Sequence, residues 1–156
     1  MRGQDQVIAT LNELLADELS AINQYVVHAE MCANWGYSKL HKATEARAIT
    51  EMRHAEKLIQ RLLFLQGRPQ VSAMGPVNIG ERVEEQLRQD LQAEHRAVTQ
   101  YNHAIRLCEE AKDHGTAELL RTILQEEEEH VDWLEAQQEQ ISQLGLPLYL
   151  AQQRDD

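Results

Sequence analysis

Glu127-Glu128-Glu129-His130 is the stretch that decides the fold, because the chain holds a second turn like it, Glu51-Met52-Arg53-His54. Helical residues three apart share a face, so each Glu-x-x-His sends a carboxylate and an imidazole to one point. The two turns lie 76 residues apart, and the same offset carries Glu18 onto Glu94. It also carries Leu11, Leu15, Ile22, Tyr25 and Cys32 onto Leu87, Leu91, Val98, Tyr101 and Cys108. The pentad Ala21-Ile22-Asn23-Gln24-Tyr25 falls on Ala97-Val98-Thr99-Gln100-Tyr101. The chain therefore reads as two copies of one helix pair within a single domain, residues 1–156. Each copy supplies one lone Glu and, 33 residues later, a Glu-x-x-His. The register also selects among neighbours: Glu126 has helical spacing to His130, but only Glu127 has a counterpart, Glu51.

Glycine and proline are few, aromatic residues make up 4%, and Leu, Ala, Glu and Gln dominate. These are good helix formers, and the expected class is all-α. A net charge of −11 argues against non-specific nucleic-acid binding and fits a protein that attracts cations. No run of 18 apolar residues would span a membrane. Met1-Arg2-Gly3-Gln4-Asp5 leads straight into an amphipathic helix, without the pattern of a signal peptide. Cys32 and Cys108 sit at equivalent positions on apolar stripes and read as reduced, buried thiols. A cytoplasmic location follows as the expectation.

The first helix is expected over about Asp5 to Trp35, with the stripe Leu11, Leu15, Glu18, Ile22, Tyr25, Ala29, Cys32. Gly36 ends it, and Ser38 is a candidate N-cap for the next. The second runs from about Lys39 to Gln66 on Leu40, Ala48, Glu51, Ala55, Leu58, Leu62 and Leu65. The short joint makes the two antiparallel neighbours. From Gly67 to Gly80, with Pro69, Gly75 and Pro76, comes the one long break. Fourteen residues at about 3.3 Å each reach roughly 45 Å, enough to run the length of a bundle about 40 Å long. The third helix is expected over about Glu81 to Ala111. The fourth, about Thr116 to Leu144, carries Leu120, Leu124, Glu127, Val131, Leu134 and Ile141 on its stripe and stops at Gly145 and Pro147. Leu148-Tyr149-Leu150 is either a short fifth helix at a subunit contact or a frayed end. The whole is a four-helix bundle with one long crossover.

Glu18, Glu51, Glu94 and Glu127 all stand where a core apolar residue belongs. Ionised and unpaired in a core, each costs several kcal/mol, on the order of a buried lone charge. Such groups take up a proton or find a cation. Two divalent ions balance four carboxylates, with His54 and His130 as neutral ligands. Mixed oxygen and nitrogen ligation suits iron, manganese or zinc and disfavours calcium. A Glu from each of two helices with Glu-x-x-His from the other two is the di-iron carboxylate arrangement of helix bundles.

Those six positions resemble bacterioferritin, as do Ala21-Ile22-Asn23-Gln24-Tyr25, Glu51-Met52-x-His54-Ala55, Asn78-Ile79-Gly80-Glu81 and Asp132-Trp133-Leu134-Glu135. The resemblance covers essentially the whole chain. It implies a ferritin-like bundle with a short C-terminal fifth helix, and a ferroxidase centre at Glu18, Glu51, His54, Glu94, Glu127 and His130. In it Glu51 and Glu127 would bridge two irons, Glu18 and His54 would complete one, and Glu94 and His130 the other. It further implies iron storage as ferric mineral in a shell of 24 subunits, with O2 or H2O2 as oxidant and an iron–sulfur ferredoxin as electron donor. By spacing alone Met52 is an adaptable interface side chain, about 100° round the helix from Glu51. The resemblance makes it an axial ligand of a haem b shared between two subunits. The chain departs from the family where Glu45 stands in place of a common tyrosine, and where Ala46 and Thr50 replace a frequent His and Asp.

Other polar residues carry weaker expectations. Tyr25 is either a partner of a buried carboxylate or an electron donor, and Tyr101 is its repeat equivalent. Asp90 is a candidate acceptor for the second ring N–H of a ligand histidine. His28, His41, His95, His103 and His114 are expected in solvent, as are Glu126, Glu128 and Glu129, one of which would assist iron transit. Rival readings are a rubrerythrin-like peroxidase, which lacks its usual Cys-x-x-Cys module here, and a haem-binding subunit with structural metals.

Overall fold

A computed structural model describes residues 1–155; Asp156, the last residue of the expected domain, lies outside them. The elements are α1 (Asp5–Trp35), α2 (Ser38–Phe64), α3 (Val83–Glu110), α4 (His114–Leu144) and α5 (Leu146–Ala151), with no strand among the described residues. Gly36 closes α1 in the left-handed conformation, φ 85°, where a Cβ would be strained. Ser38 is not the cap expected of it. It is already the first residue of α2, and Tyr37 holds the cap position without a side-chain bond. Helix α4 starts two residues earlier than expected because Asp113 caps it, its carboxylate accepting from the Thr116 amide at 3.0 Å. Helix α3 starts two residues later than expected, after Arg82 in extended backbone.

Cross-helix contacts fix the directions. His41 meets Ala29 and His54 meets Glu18, so α1 and α2 are antiparallel. Tyr25 meets Glu94 and Tyr101 meets Glu18, so α1 and α3 are antiparallel too. Helices α2 and α3 consequently run the same way, which requires the chain between them to return along the bundle. It does so against α1. Asn12 bonds to Arg68 and Gln70, Ser20 to Gly75, Gln24 to Asn78 and His28 to Gly80. Ser20, Gln24 and His28 are four residues apart and form one polar row on α1, satisfying amides that no helix or sheet would pair.

That row corrects one expectation. His28 is buried, with 1% exposure. Its Nε2 accepts from the Gly80 amide at 3.0 Å, so Nδ1 carries the proton donated to Asp90 at 2.9 Å. Asp90 accepts from Gln24 as well, at 2.8 Å. It therefore anchors the crossover rather than orienting a ligand histidine. At Gly80 a Cβ would lie 2.5 Å from the Gln86 amide nitrogen, so no side chain fits there.

The apolar core is in two parts. One end holds Leu11, Leu15, Leu58, Leu62, Leu120 and Ile123, all fully buried. The other holds Cys32, Leu40, Val83, Leu87, Leu134 and Tyr149. Each buried leucine contributes about 2 kcal/mol, so the two ends clamp a polar middle. Cys32 and Cys108 are buried free thiols, both pushed up to about 11 by burial and then by Asp90 and Asp113 respectively. The tail is a true helix. Pro147 lies in its first turn, Tyr149 is buried with its hydroxyl donating to Gln137 at 2.7 Å, and Leu148 points outward. Among the described residues no helix is long and apolar enough to cross a membrane.

Candidate metal centre

Helices α1 to α4 each place one glutamate in the polar middle: Glu18, Glu51, Glu94 and Glu127 are 0–3% exposed. His54 is fully buried and His130 is 8% exposed. Oxygens of Glu18, Glu51 and Glu127 and a nitrogen of His54 lie within 4.8 Å of one another, spacing that a single ion would satisfy. His54 Nδ1 is 3.1 Å from Glu127, 3.5 Å from Glu18 and 3.7 Å from Glu51. These approaches are out of line for hydrogen bonding, and neither ring nitrogen of His54 has a hydrogen-bond partner among the described residues. Buried polar atoms left this way cost free energy unless something else engages them. Glu94 and His130 pair on the other side, Nδ1 to Oε1 at 2.9 Å. His130 is held between Tyr25, edge-on at 5.4 Å, and Trp133, stacked at 5.9 Å.

The two tyrosines cross the repeat. Tyr25 donates to Glu94, and Tyr101 donates to Glu18 at 2.7 Å. Each copy thus supplies the phenol that fixes the other copy's lone glutamate. Burial, and then the charge of the carboxylate it faces, holds each phenol well above its usual range, so both stay protonated donors.

One site residue escaped the sequence reading. Arg47, one turn before Glu51, turns its guanidinium inward. Its Nη2 lies 2.6 Å from Glu51, 3.0 Å from Glu127 and 3.6 Å from Glu94. The i, i+4 spacing to Glu51 was the available signal. The repeat hid it, because its counterpart 76 residues on is Ile123, a fully buried apolar residue.

The charges sort themselves around that cation. Burial, then the Glu51 charge, pushes Glu18 well above the usual carboxylate range. Burial, then Glu18, Glu51 and Glu94, does the same to Glu127. Burial also disfavours ionised Glu51, but the Glu18 carboxyl, His54 and Arg47 outweigh it and hold Glu51 at about 2. Glu94 is lowered against its burial, by Glu127, His130 and Arg47. For His54 burial is outweighed by Glu127 and Glu51, which lift it to about 9. Without metal the cluster therefore favours the acid form at Glu18 and Glu127 and the ionised form at Glu51 and Glu94, with Arg47 and His54 as the cations that face them. Ligation by His54 requires its neutral form, so divalent ions displace protons as they bind.

A pH dependence follows with a definite sign. The stabilisation from His54 is complete below its ordinary value of 6.5 and lost as pH rises through about 9. The raised Glu18 and Glu127 add a cost of the same sign once pH passes 4.5. Glu51 loses its contribution only as pH falls from 4.5 towards about 2. The melting temperature of metal-free protein is expected to fall between pH 6.5 and 9, by about 5 °C. Calorimetry with and without Zn2+ checks this, since bound ions should lift the loss; a flat metal-free profile would contradict it.

Among the other expectations, Glu128 and Glu129 are exposed, as are His95, His103 and His114. His41 is half-buried on the Ala29 carbonyl. Glu126 is 40% exposed and 3.6 Å from His54 Nε2, at the rim of the cluster. Met52 is on the outer side of α2 and 42% exposed, away from the carboxylates.

Comparison with known proteins agrees with this fold. Residues 8–144 match the model of the ferritin-like domain. The bacterioferritin of Mycolicibacterium paratuberculosis is 42% identical over 97% of this chain and 96% of its own length. A bacterial ferritin of Synechocystis is 38% identical over 98% of this chain and 99% of its own. The solved structure of Mycobacterium tuberculosis bacterioferritin, BfrA, superposes with a TM-score of 0.98 at 41% identity, covering 99% of this chain and 98% of that one. With a bundle, a crossover and a buried carboxylate cluster of this kind, the chain belongs to the bacterioferritins, within the ferritin-like family.

Proposed function

We propose that this protein is an iron-storage ferroxidase that takes Fe2+ as substrate at Glu18, Glu51, His54, Glu94, Glu127 and His130. The observation that carries the reading is the buried cluster itself: four glutamates and two histidines in a bundle core, with buried polar atoms of Glu18, Glu94, Glu127 and His54 that have no hydrogen-bond partner among the described residues. A site that offers four carboxylates favours the more highly charged ferric ion, which is the protein's main contribution to oxidation. Two Fe2+ release two electrons, which with two protons reduce O2 to H2O2, or H2O2 to two waters. Glu51 and Glu127 are the shared ligands, each with one oxygen on the His54 side and one on the Arg47 side. Tyr25 and Tyr101 hold Glu94 and Glu18 in place. Protons displaced from Glu18, Glu127 and His54 leave as Fe2+ enters.

The chain is read as one domain made from a duplicated helix pair. Its product is ferric mineral kept inside a shell of 24 subunits in the cytoplasm. Met52 would hold a haem b, one from each of two subunits: its exposed thioether is a donor that suits haem iron. Haem would supply an electron path for reductive release of stored iron, fed by an iron–sulfur ferredoxin.

Stopped-flow absorbance after mixing metal-free protein with Fe2+ in aerated buffer tests the reading. A fast rise of near-ultraviolet ferric absorbance, saturating at two irons per chain, is the expected result. A trace no faster than buffer removes the ferroxidase and leaves a structural metal site.

A further inference from the structure

The two halves of the cluster differ in one respect that the repeat does not predict. On the first side, Glu18, His54, Glu51 Oε2 and Glu127 Oε1 converge with, among the described residues, no side-chain cation other than the imidazole. On the second side, the opposite oxygens, Glu51 Oε1 and Glu127 Oε2, meet Glu94 Oε2 around a single nitrogen, Arg47 Nη2. That nitrogen stands among the carboxylate oxygens that would serve a second metal ion. The repeat equivalent of Arg47 is apolar Ile123, so the first side has no such group.

Apart from those carboxylates, Arg47 is lightly held. Beyond the three carboxylates it has, among the described residues, one bond, Nη1 to the Glu126 carbonyl at 3.2 Å, and no partner for its buried Nε. Its side chain keeps a solvent edge at 10% exposure. Withdrawal of the guanidinium along its flexible stem therefore needs no opening of the bundle.

We propose that Arg47 is a displaceable resident cation that occupies the second metal position, so that this site loads its two ions in sequence. The first ion enters beside Glu18 and His54, where no guanidinium has to leave. The second enters beside Glu94 and His130 only as Arg47 withdraws, and it therefore binds more weakly. The same competition makes the second position the one that empties first. Arg47 is a positioning and affinity-setting residue here, not a ligand. The inference rests on the dinuclear reading given above, and deepens it by assigning an order.

Titration of metal-free full-length protein with Co2+, followed by visible ligand-field absorbance and by calorimetry, reads both steps without any turnover. Wild type is expected to bind two ions per chain, the second about tenfold or more weaker than the first. In Arg47→Gln the second dissociation constant should fall by about tenfold, closing the gap, with the first changed by less than about threefold. Arg47→Lys keeps the charge and should retain most of the gap. It also keeps the test open if the glutamine variant fails to fold. Equal steps in wild type, or an unchanged gap in Arg47→Gln, would overturn the assignment of Arg47 while leaving the dinuclear site intact. Fewer than two ions bound in every form would overturn the dinuclear reading, and this inference with it.

Discussion

Glu127→Gln is expected to slow the fast oxidation of Fe2+ by about 100-fold or more while leaving the metal-free protein folded. Glu127 is fully buried and, like Glu51, faces both sides of the cluster. Its loss removes an anionic donor from both metal positions at once. The metal-free protein behaves differently. Burial and the charges of Glu18, Glu51 and Glu94 already favour the protonated acid at this position. Glutamine has nearly the shape of that neutral acid, so core packing is kept. The metal-free melting temperature should stay within about 3 °C of wild type, the equivalent of roughly 1 kcal/mol. Stopped-flow absorbance and calorimetry on one preparation separate the two effects. Wild-type oxidation in Glu127→Gln would contradict the ligand role, and collapse of the metal-free fold would contradict the protonation state.

Met52→Leu is expected to remove haem almost completely from a shell that still assembles. Met52 and Glu51 are adjacent, so their side chains point about 100° apart, one out of the bundle and one into it. Ile49 and Met52 on α2 and Val26 and Val27 on α1 are apolar side chains each 41–48% exposed in the isolated chain. Apolar side chains left exposed in this way call for a partner, which a second subunit would provide. Leucine matches methionine in volume and apolarity, so that contact survives. It has no sulfur lone pair to offer an iron. Soret absorbance per subunit against size-exclusion mass checks the result. Haem at the wild-type ratio in Met52→Leu would remove the axial-ligand assignment.

Much of this molecule is written in its periodicity. The stripes on Leu11, Leu15, Leu58, Leu62, Leu120 and Leu134 mark faces that the structure buries completely. The length of the break after Gly67 requires a return along the bundle, and the bonds from Asn12 to His28 trace that return. Helix ends were less legible. With Asp113 as its cap α4 starts two residues earlier than expected, and Ser38 entered the helix it was expected to cap. On α4 the stripe named Leu124, yet Ile123 is the fully buried neighbour, because 3.6-residue periodicity leaves adjacent positions nearly equivalent at the edge of a face.

The polar residues show why a repeat both finds and hides. The 76-residue register brought out Glu18, Glu51, His54, Glu94, Glu127 and His130, because each has a chemically identical partner. It is blind to anything that breaks the two-fold relation. Arg47 is matched by Ile123, His28 by Ala104, and Asp90 by Leu14. His28 escaped for a second reason: it is covered by the crossover and not by a helix, and no helical stripe reports burial beneath a strap.

The central claim is that two ions share Glu51 and Glu127 at mid-bundle. Anomalous difference density from crystals loaded anaerobically with Fe2+ tests it most directly. Two peaks per chain about 3.5–4 Å apart are expected. One should lie against Glu18 and His54 and the other against Glu94 and His130, with Arg47 moved off the carboxylates. A single peak, or strong peaks remote from these six residues, would contradict it.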